Sequence, residues 1–150
     1  MITRRDLVVA VTTVCVTMTA VTLADSVAKP IMRSSVFNWA DLKVESTKYG
    51  ARRVVFDART ATLDGLECHI TTLNPGEVPH TAHQHSGEEL IIIKEGTLEA
   101  MQNGVTNRAG PSAIIFEASN EPHGLRNPGP TAATYYVIKF SPGTLKDKTQ

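Results

Sequence analysis

Three of the chain's five histidines fall in Pro79-His80-Thr81-Ala82-His83-Gln84-His85, and that run leads straight into Ser86-Gly87-Glu88-Glu89. Neutral imidazoles and a carboxylate, with no thiolate, are donors that suit Fe(II), Mn(II), Ni(II), Cu(II) or Zn(II). On a strand, alternate residues share a face, so His83 and His85 can turn both rings towards one ion. A turn at Ser86-Gly87 lets the next strand return alongside, and the alternation Glu89, Ile91, Ile93 places the carboxylate and two apolar wall residues on its inward face. A fourth donor must come from elsewhere. His123 is the candidate, because it follows Pro122 at the start of a strand-like segment in which Leu125 and Asn127 share its face. His80 lies an odd number of residues from His83 and reads as a loop or rim histidine of the pocket. Glu88 reads as solvated, and His69 has no partner by spacing. Glu117, Arg126 and Tyr136 are further acid or base candidates. A His-x-His pair alone also occurs on plain solvated strands, so the case for a metal rests on the added residues.

These side chains need strands to hold them. Short apolar or alternating runs recur at Arg53 to Phe56, Leu66 to Leu73, Leu90 to Ile93, Thr97 to Met101, Ala113 to Phe116 and Ala133 to Phe140. Turn residues separate them at Asn74-Pro75-Gly76, Asn103-Gly104, Ala109-Gly110-Pro111 and Asn127-Pro128-Gly129-Pro130. Asn103-Gly104 predicts a two-residue type I′ hairpin between Leu98 to Gln102 and Val105 to Asn107. Many short strands without an amphipathic helix point to an all-β sandwich or barrel in a single domain. Only Asn38 to Val44 offers a short helix. In the last long run Tyr136, Ile138 and Phe140 alternate against Lys139, which predicts that these three face the pocket or core. Cys68 alternates with Leu66 and Ile70 and reads as a buried small hydrophobe.

Gly76, His83, His85, Glu89 and Gly96 follow the order glycine, His-x-His, glutamate, glycine, and Gly110, His123 and Asn127 follow as a second set. In this the chain resembles the cupin superfamily, whose first motif these five positions match with one extra residue between Gly76 and His83. The second set keeps the histidine-to-asparagine spacing, while Ala118 and Asn120 replace its usual proline and glycine. The resemblance covers roughly Leu66 to Phe140. It implies a jelly-roll-like barrel, or double-stranded β-helix, holding one divalent metal at His83, His85, Glu89 and His123, and it makes a homodimer the expected assembly. Leu90 and Ile92, facing opposite to Glu89, supply apolar surface that a second sheet or subunit could cover.

Lys plus Arg equals Asp plus Glu, 15 each, so no net charge recruits nucleic acid or an anionic membrane. Residues 1–28 read as a targeting segment. Thr3-Arg4-Arg5-Asp6-Leu7-Val8 resembles a twin-arginine export motif, and an uncharged stretch from Leu7 to Ala24 follows, ending near Ser26-Val27-Ala28. Cleavage after Ala28 would leave residues 29–60 as an extension with the first strands, 61–142 as the barrel and 143–150 as a polar tail, exported to the periplasm or outside without stable membrane association. Export after folding would let the site load in the cytoplasm, away from copper and zinc, which favours Fe or Mn. The expected ligand is a small molecule. Four protein donors leave room on a six-coordinate ion for a substrate and oxygen, so a dioxygenase-like metalloenzyme is the first expectation. A cupin isomerase, decarboxylase or lyase, and a non-catalytic metal- or ligand-binding cupin, are the alternatives. A purely structural metal is disfavoured because closed structural sites usually use thiolates.

Overall fold

The computed structural model describes residues 31–143. Nine strands follow one turn of 3-10 helix at Trp39–Asp41. They are β1 (Glu45–Thr47), β2 (Gly50–Ala58), β3 (Leu63–Leu73), β4 (Glu88–Glu95), β5 (Leu98–Gln102), β6 (Val105–Ala109), β7 (Ile114–Glu117), β8 (His123–Arg126) and β9 (Ala133–Pro142). Six form one sheet in the order β1-β2-β3-β9-β4-β7, and three form another in the order β6-β5-β8. Every named strand pair is antiparallel. The fold is the all-β jelly-roll type expected from the sequence. The short helix expected over Asn38 to Val44 shrinks to a single 3-10 turn.

Local chemistry explains the joints. Gln102 pairs with Val105, so Asn103 and Gly104 are the two-residue loop, with φ of 49° and 82° as a type I′ turn requires. Gly96 ends β4 at φ 80°, and a Cβ there would lie 2.7 Å from Ala133 Cα. Only glycine lets the chain turn so close to β9.

The core lies between the sheets. Leu73, Ile91, Ile93, Leu98, Ile115 and Tyr135 are its centre, each almost fully buried. Burying an aliphatic side chain of this size contributes about 1.5–3 kcal/mol, so this cluster is the main source of stability. Cross-strand register orders the inner face of the large sheet into rows. One row runs His69, Val137, Ile91, Ile115. The next runs Glu67, Lys139, Glu89, Glu117 and is charged throughout. The barrel is therefore apolar towards one end and polar at the other, where the histidines lie.

The β9 register differs from the expectation. Tyr135 and Val137 are buried inward and Lys139 lines the cavity with them, while Tyr136, Ile138 and Phe140 lie on the opposite face. The reason is that both faces of this sheet are apolar. On the outer face Cys68 and Ile70 are buried too, beside Phe56, Ile138 and Tyr136. Phe37 packs against Phe56 with ring centroids 5.3 Å apart. Trp39 is held between Arg53 at 4.4 Å and Lys94 at 4.0 Å, so the segment before β1 lies over that face. An alternation that is apolar on both sides cannot name the inner one.

Candidate metal centre

His83 sits on the loop between β3 and β4, and its backbone forms an isolated antiparallel bridge with His123 at the start of β8. His83 N donates to His123 O at 3.0 Å and His123 N donates to His83 O at 2.9 Å. Asn120 N donates to His85 O at 2.7 Å, so a second tie joins the loop to the β7–β8 turn. These ties bring together histidines far apart in sequence. The ring centroids of His83, His85 and His123 lie 4.8 to 5.3 Å from one another. Their ligand nitrogens all lie within 4.8 Å. Two donors at about 2.1 Å from one ion can be no more than about 4.2 Å apart, so small side-chain rotations would close the set around a metal.

Hydrogen bonds decide which nitrogen each ring offers. His123 Nδ1 donates to Glu121 O at 2.8 Å, which leaves Nε2 of the neutral ring with its lone pair. That Nε2 is buried and has no partner. An orphaned acceptor aimed at two other imidazoles is the arrangement a cation satisfies. His85 behaves similarly, its Nδ1 facing Gly87 O at 2.9 Å and its Nε2 facing Glu89 Oε1 at 3.0 Å. With Nδ1 donating, a neutral His85 ring presents a lone pair to a carboxylate, so a proton or a metal ion has to lie between them. Burial, and then the neighbouring His80, His123 and His85, lower the His83 pKa, which keeps that ring neutral and able to ligate.

Glu89 lines the cavity but lies outside the tight histidine group, attached to it through His85. Its Oε1 also takes Lys139 Nζ at 3.3 Å. His80 stands at the exposed mouth, its ring 4.4 Å from that of His83 and edge-on to it. Glu88 is exposed. Ile91 lines the cavity, and Ile93 lies deeper in the core. Arg126 reaches outward to Glu99 at 3.8 Å and lines a different groove. Glu117 is 2% exposed, opposite Glu89, with Oε2 taking Gln102 Nε2 at 3.0 Å and Oε1 buried without a partner. Burial raises its pKa. Asn127, the last residue of the second motif, is fully buried and structural. Its Nδ2 donates to Leu73 O and Thr131 O, and its backbone carbonyl accepts from Gly76 N.

Sequence reasoning missed one wall of the cavity. Arg52, Glu67, His69 and Lys139 all line the same space of about 250 Å³ as the histidines. Glu67 and His69 alternate on β3, which was a legible signal, but only the sheet register shows that this face is the inner one. Cys68 between them is buried as expected, and burial raises its thiol pKa, so it is a packing residue rather than a nucleophile. The proposed targeting segment 1–28 and the tail from 144 onward lie outside the described residues.

Comparison with known proteins bears on the fold that holds these residues. Residues 69–139 match the family model described as Cupin domain. No curated protein matches the chain. Among solved structures, KdgF from Halomonas sp. is 20% identical at a TM-score of 0.59, covering 71% of this chain and 94% of its own. A predicted oxalate decarboxylase from Thermotoga maritima is 17% identical at a TM-score of 0.58, covering 71% and 99%. The polyketide cyclase RemF from Streptomyces resistomycificus is 21% identical at a TM-score of 0.58, covering 73% and 80%. At such identities the likeness carries the fold alone. Residues 69–139 thus match the Cupin domain model, and the solved structures share the all-β fold of the chain.

Proposed function

We propose that this chain is a metal-dependent enzyme acting on a small molecule, with one divalent ion held by His83, His85, His123 and Glu89. The observation that carries the reading is the buried, unpartnered His123 Nε2 directed at two further imidazoles. The ion would supply a Lewis-acid charge for polarising a substrate oxygen. Fe or Mn is the proposed occupant. A purely binding role would call for a cavity poor in acid and base groups, yet this one carries His69, Glu67, Arg52 and Lys139. The dioxygenase-like reading rests on the donor set alone. The polar wall adds a reason to favour proton-transfer chemistry of the isomerase, lyase or decarboxylase kind. Elemental analysis of purified protein, followed by parallel oxygen-consumption and proton-NMR screens on keto acids and phenols, tests it. Substoichiometric metal after loading with each candidate ion would refute the reading. Oxygen uptake with a phenol would favour the oxygenase class.

We further propose that the mature protein is exported by the twin-arginine route, on the strength of Arg4-Arg5 before the uncharged stretch, and that it forms a homodimer. Ile114 and Phe116 on β7 are 66% and 52% exposed, and Phe116 pairs with Leu90 on the outer face. Such apolar surface at a sheet edge suits a second copy. A monomeric sedimentation coefficient at micromolar concentration would refute the dimer.

A further inference from the structure

The cavity holds a second polar group that the metal donors do not use. Arg52 projects from β2, and Glu67 and His69 project from β3. Glu67 Oε1 accepts from Arg52 Nη2 at 2.6 Å and from His69 Nδ1 at 2.9 Å. A carboxylate only accepts, so Nδ1 carries the hydrogen and the neutral ring keeps a lone pair on Nε2. The structure gives that Nε2 no hydrogen-bond partner among the described residues, and the ring lines the cavity at 19% exposure. A second hydrogen on the ring is opposed by burial and by the Arg52 charge, which already neutralises Glu67. This is a base held in one tautomer with its free lone pair turned to the cavity.

Its position relative to the metal donors follows from the register. Glu67, Lys139 and Glu89 form one row across β3, β9 and β4, and His69, Val137 and Ile91 form the next. Two strand spacings and a two-residue step along the strands, together about 12 Å, separate the His69 and Glu89 backbones, and both side chains line the space between. A molecule filling about 250 Å³ can touch both the cation site and His69. The charged groups facing the ring are Arg52 on β2, Glu67 on β3, Glu89 on β4 and Lys139 on β9. Two positive and two negative charges cancel. A divalent ion then leaves a surplus of about two positive charges, which an anionic substrate would balance.

We infer that His69 is a catalytic base of this cavity, oriented by Glu67, and that the substrate is a small carboxylate bearing an enolisable ketone. The inference rests on the metal-dependent reading above and deepens it. His69 Nε2 takes a proton from the carbon beside the carbonyl. The C–H electron pair becomes the new carbon–carbon π bond, and the carbonyl π pair moves onto oxygen. That oxygen's charge faces Lys139 and the cation site. Return of the proton to the same carbon gives exchange, and return elsewhere gives isomerisation, so no oxidant or co-reactant is needed. Glu67 acts through His69 and is a positioning residue.

The test uses the full chain loaded with Mn, its metal content measured for every variant, and pyruvate and 2-oxobutyrate as probes. Deuterium uptake at C3 in heavy water is read by proton NMR after chelation of the metal. The wild type exchanges one or both keto acids. His69→Gln slows that exchange about a hundredfold or more at unchanged metal occupancy. Glu67→Gln slows it and displaces its pH profile, a change that a merely structural contact would not produce. Independently of turnover, nitrogen-15 spectra of histidine-labelled, metal-free protein show His69 as the Nδ1–H tautomer. An Nε2–H tautomer, wild-type exchange rates in His69→Gln, or failure of the metal-loaded wild type to exchange either keto acid would overturn the inference. A wild type that binds no metal would instead refute the metal reading, while the tautomer would still decide the role of His69.

Discussion

Replacing His123 with alanine removes the donor that links the two halves of the site, and its effect separates a chelate from a histidine-rich loop. In the metal-free protein two terms oppose each other. The truncation removes the Nδ1 bond to Glu121 O, which contributes about 0.5–1.5 kcal/mol. It also removes a buried acceptor without a partner, whose burial costs about 1–3 kcal/mol. The metal-free melting temperature should therefore move little. With metal the balance changes. Free ion a hundredfold above the dissociation constant stabilises the folded state by about 2.7 kcal/mol. Loss of a direct ligand weakens affinity by more than the roughly 10- to 100-fold that follows loss of a supporting residue. At a hundredfold loss the same free ion adds only about 0.4 kcal/mol. About 2.3 kcal/mol of metal-dependent stability disappears, or roughly 5–15 °C in melting temperature for a domain of this size. The assay is thermal unfolding followed by circular dichroism in chelator and then in excess metal, with elemental analysis after dialysis. His80→Ala, at the exposed mouth, should keep the full shift. An undiminished metal-induced shift in His123→Ala would mean that the second motif takes no part in the site.

Three further outcomes are expected. Glu117→Gln should flatten part of the pH dependence of metal-free stability. Burial raises the Glu117 pKa above its ordinary 4.5, so between 4.5 and the raised value the folded state holds a proton that the unfolded state has lost, and stability falls as pH rises. Urea unfolding at stepped pH should show that fall in the wild type and not in the variant; identical profiles would refute it. Lys139→Met removes an ammonium 3.3 Å from Glu89 Oε1 and should tighten metal binding by no more than about fivefold, or about 1 kcal/mol, as measured by calorimetry, and weaker binding would contradict that placement. Replacing Arg4 and Arg5 together by lysine should hold folded protein in the cytoplasm in a fractionation assay, and unchanged export would point to the general secretory route.

What the sequence made legible was local chemistry. Asn103-Gly104 names its own turn because both positions must take positive φ, which few residue pairs tolerate. His83 and His85 do converge, but from the loop before β4 and not from the strand face that their spacing predicts, held by backbone bonds to His123 and Asn120. His123 was legible as a strand start after Pro122, although the partner that draws it in, the backbone of His83, depends on loop closure over a long stretch. Nothing in a one-dimensional pattern encodes that pairing.

The polar wall shows why the remainder was hidden. A charged residue in an apolar strand is ordinarily assigned to solvent, and Lys139 was assigned that way, which turned every neighbour in β9 to the wrong side. The assignment fails here because the outer face is covered as well. Residues around Phe37 and Trp39 lie over Phe56 and beside Arg53 and Lys94, so the outer face is partly covered too. What distinguishes the two faces for Lys139 is pairing. Inward, Lys139 lies in one row with Glu67 and Glu89 and reaches Glu89 Oε1. Outward, its strand neighbours sit beside Leu66, Cys68 and Ile70. A buried charge needs a partner more than an apolar side chain needs one particular dry surface. The inward face of β9 thus combines core residues Tyr135 and Val137 with Lys139, which lies between carboxylates on two other strands, one of them in the metal motif.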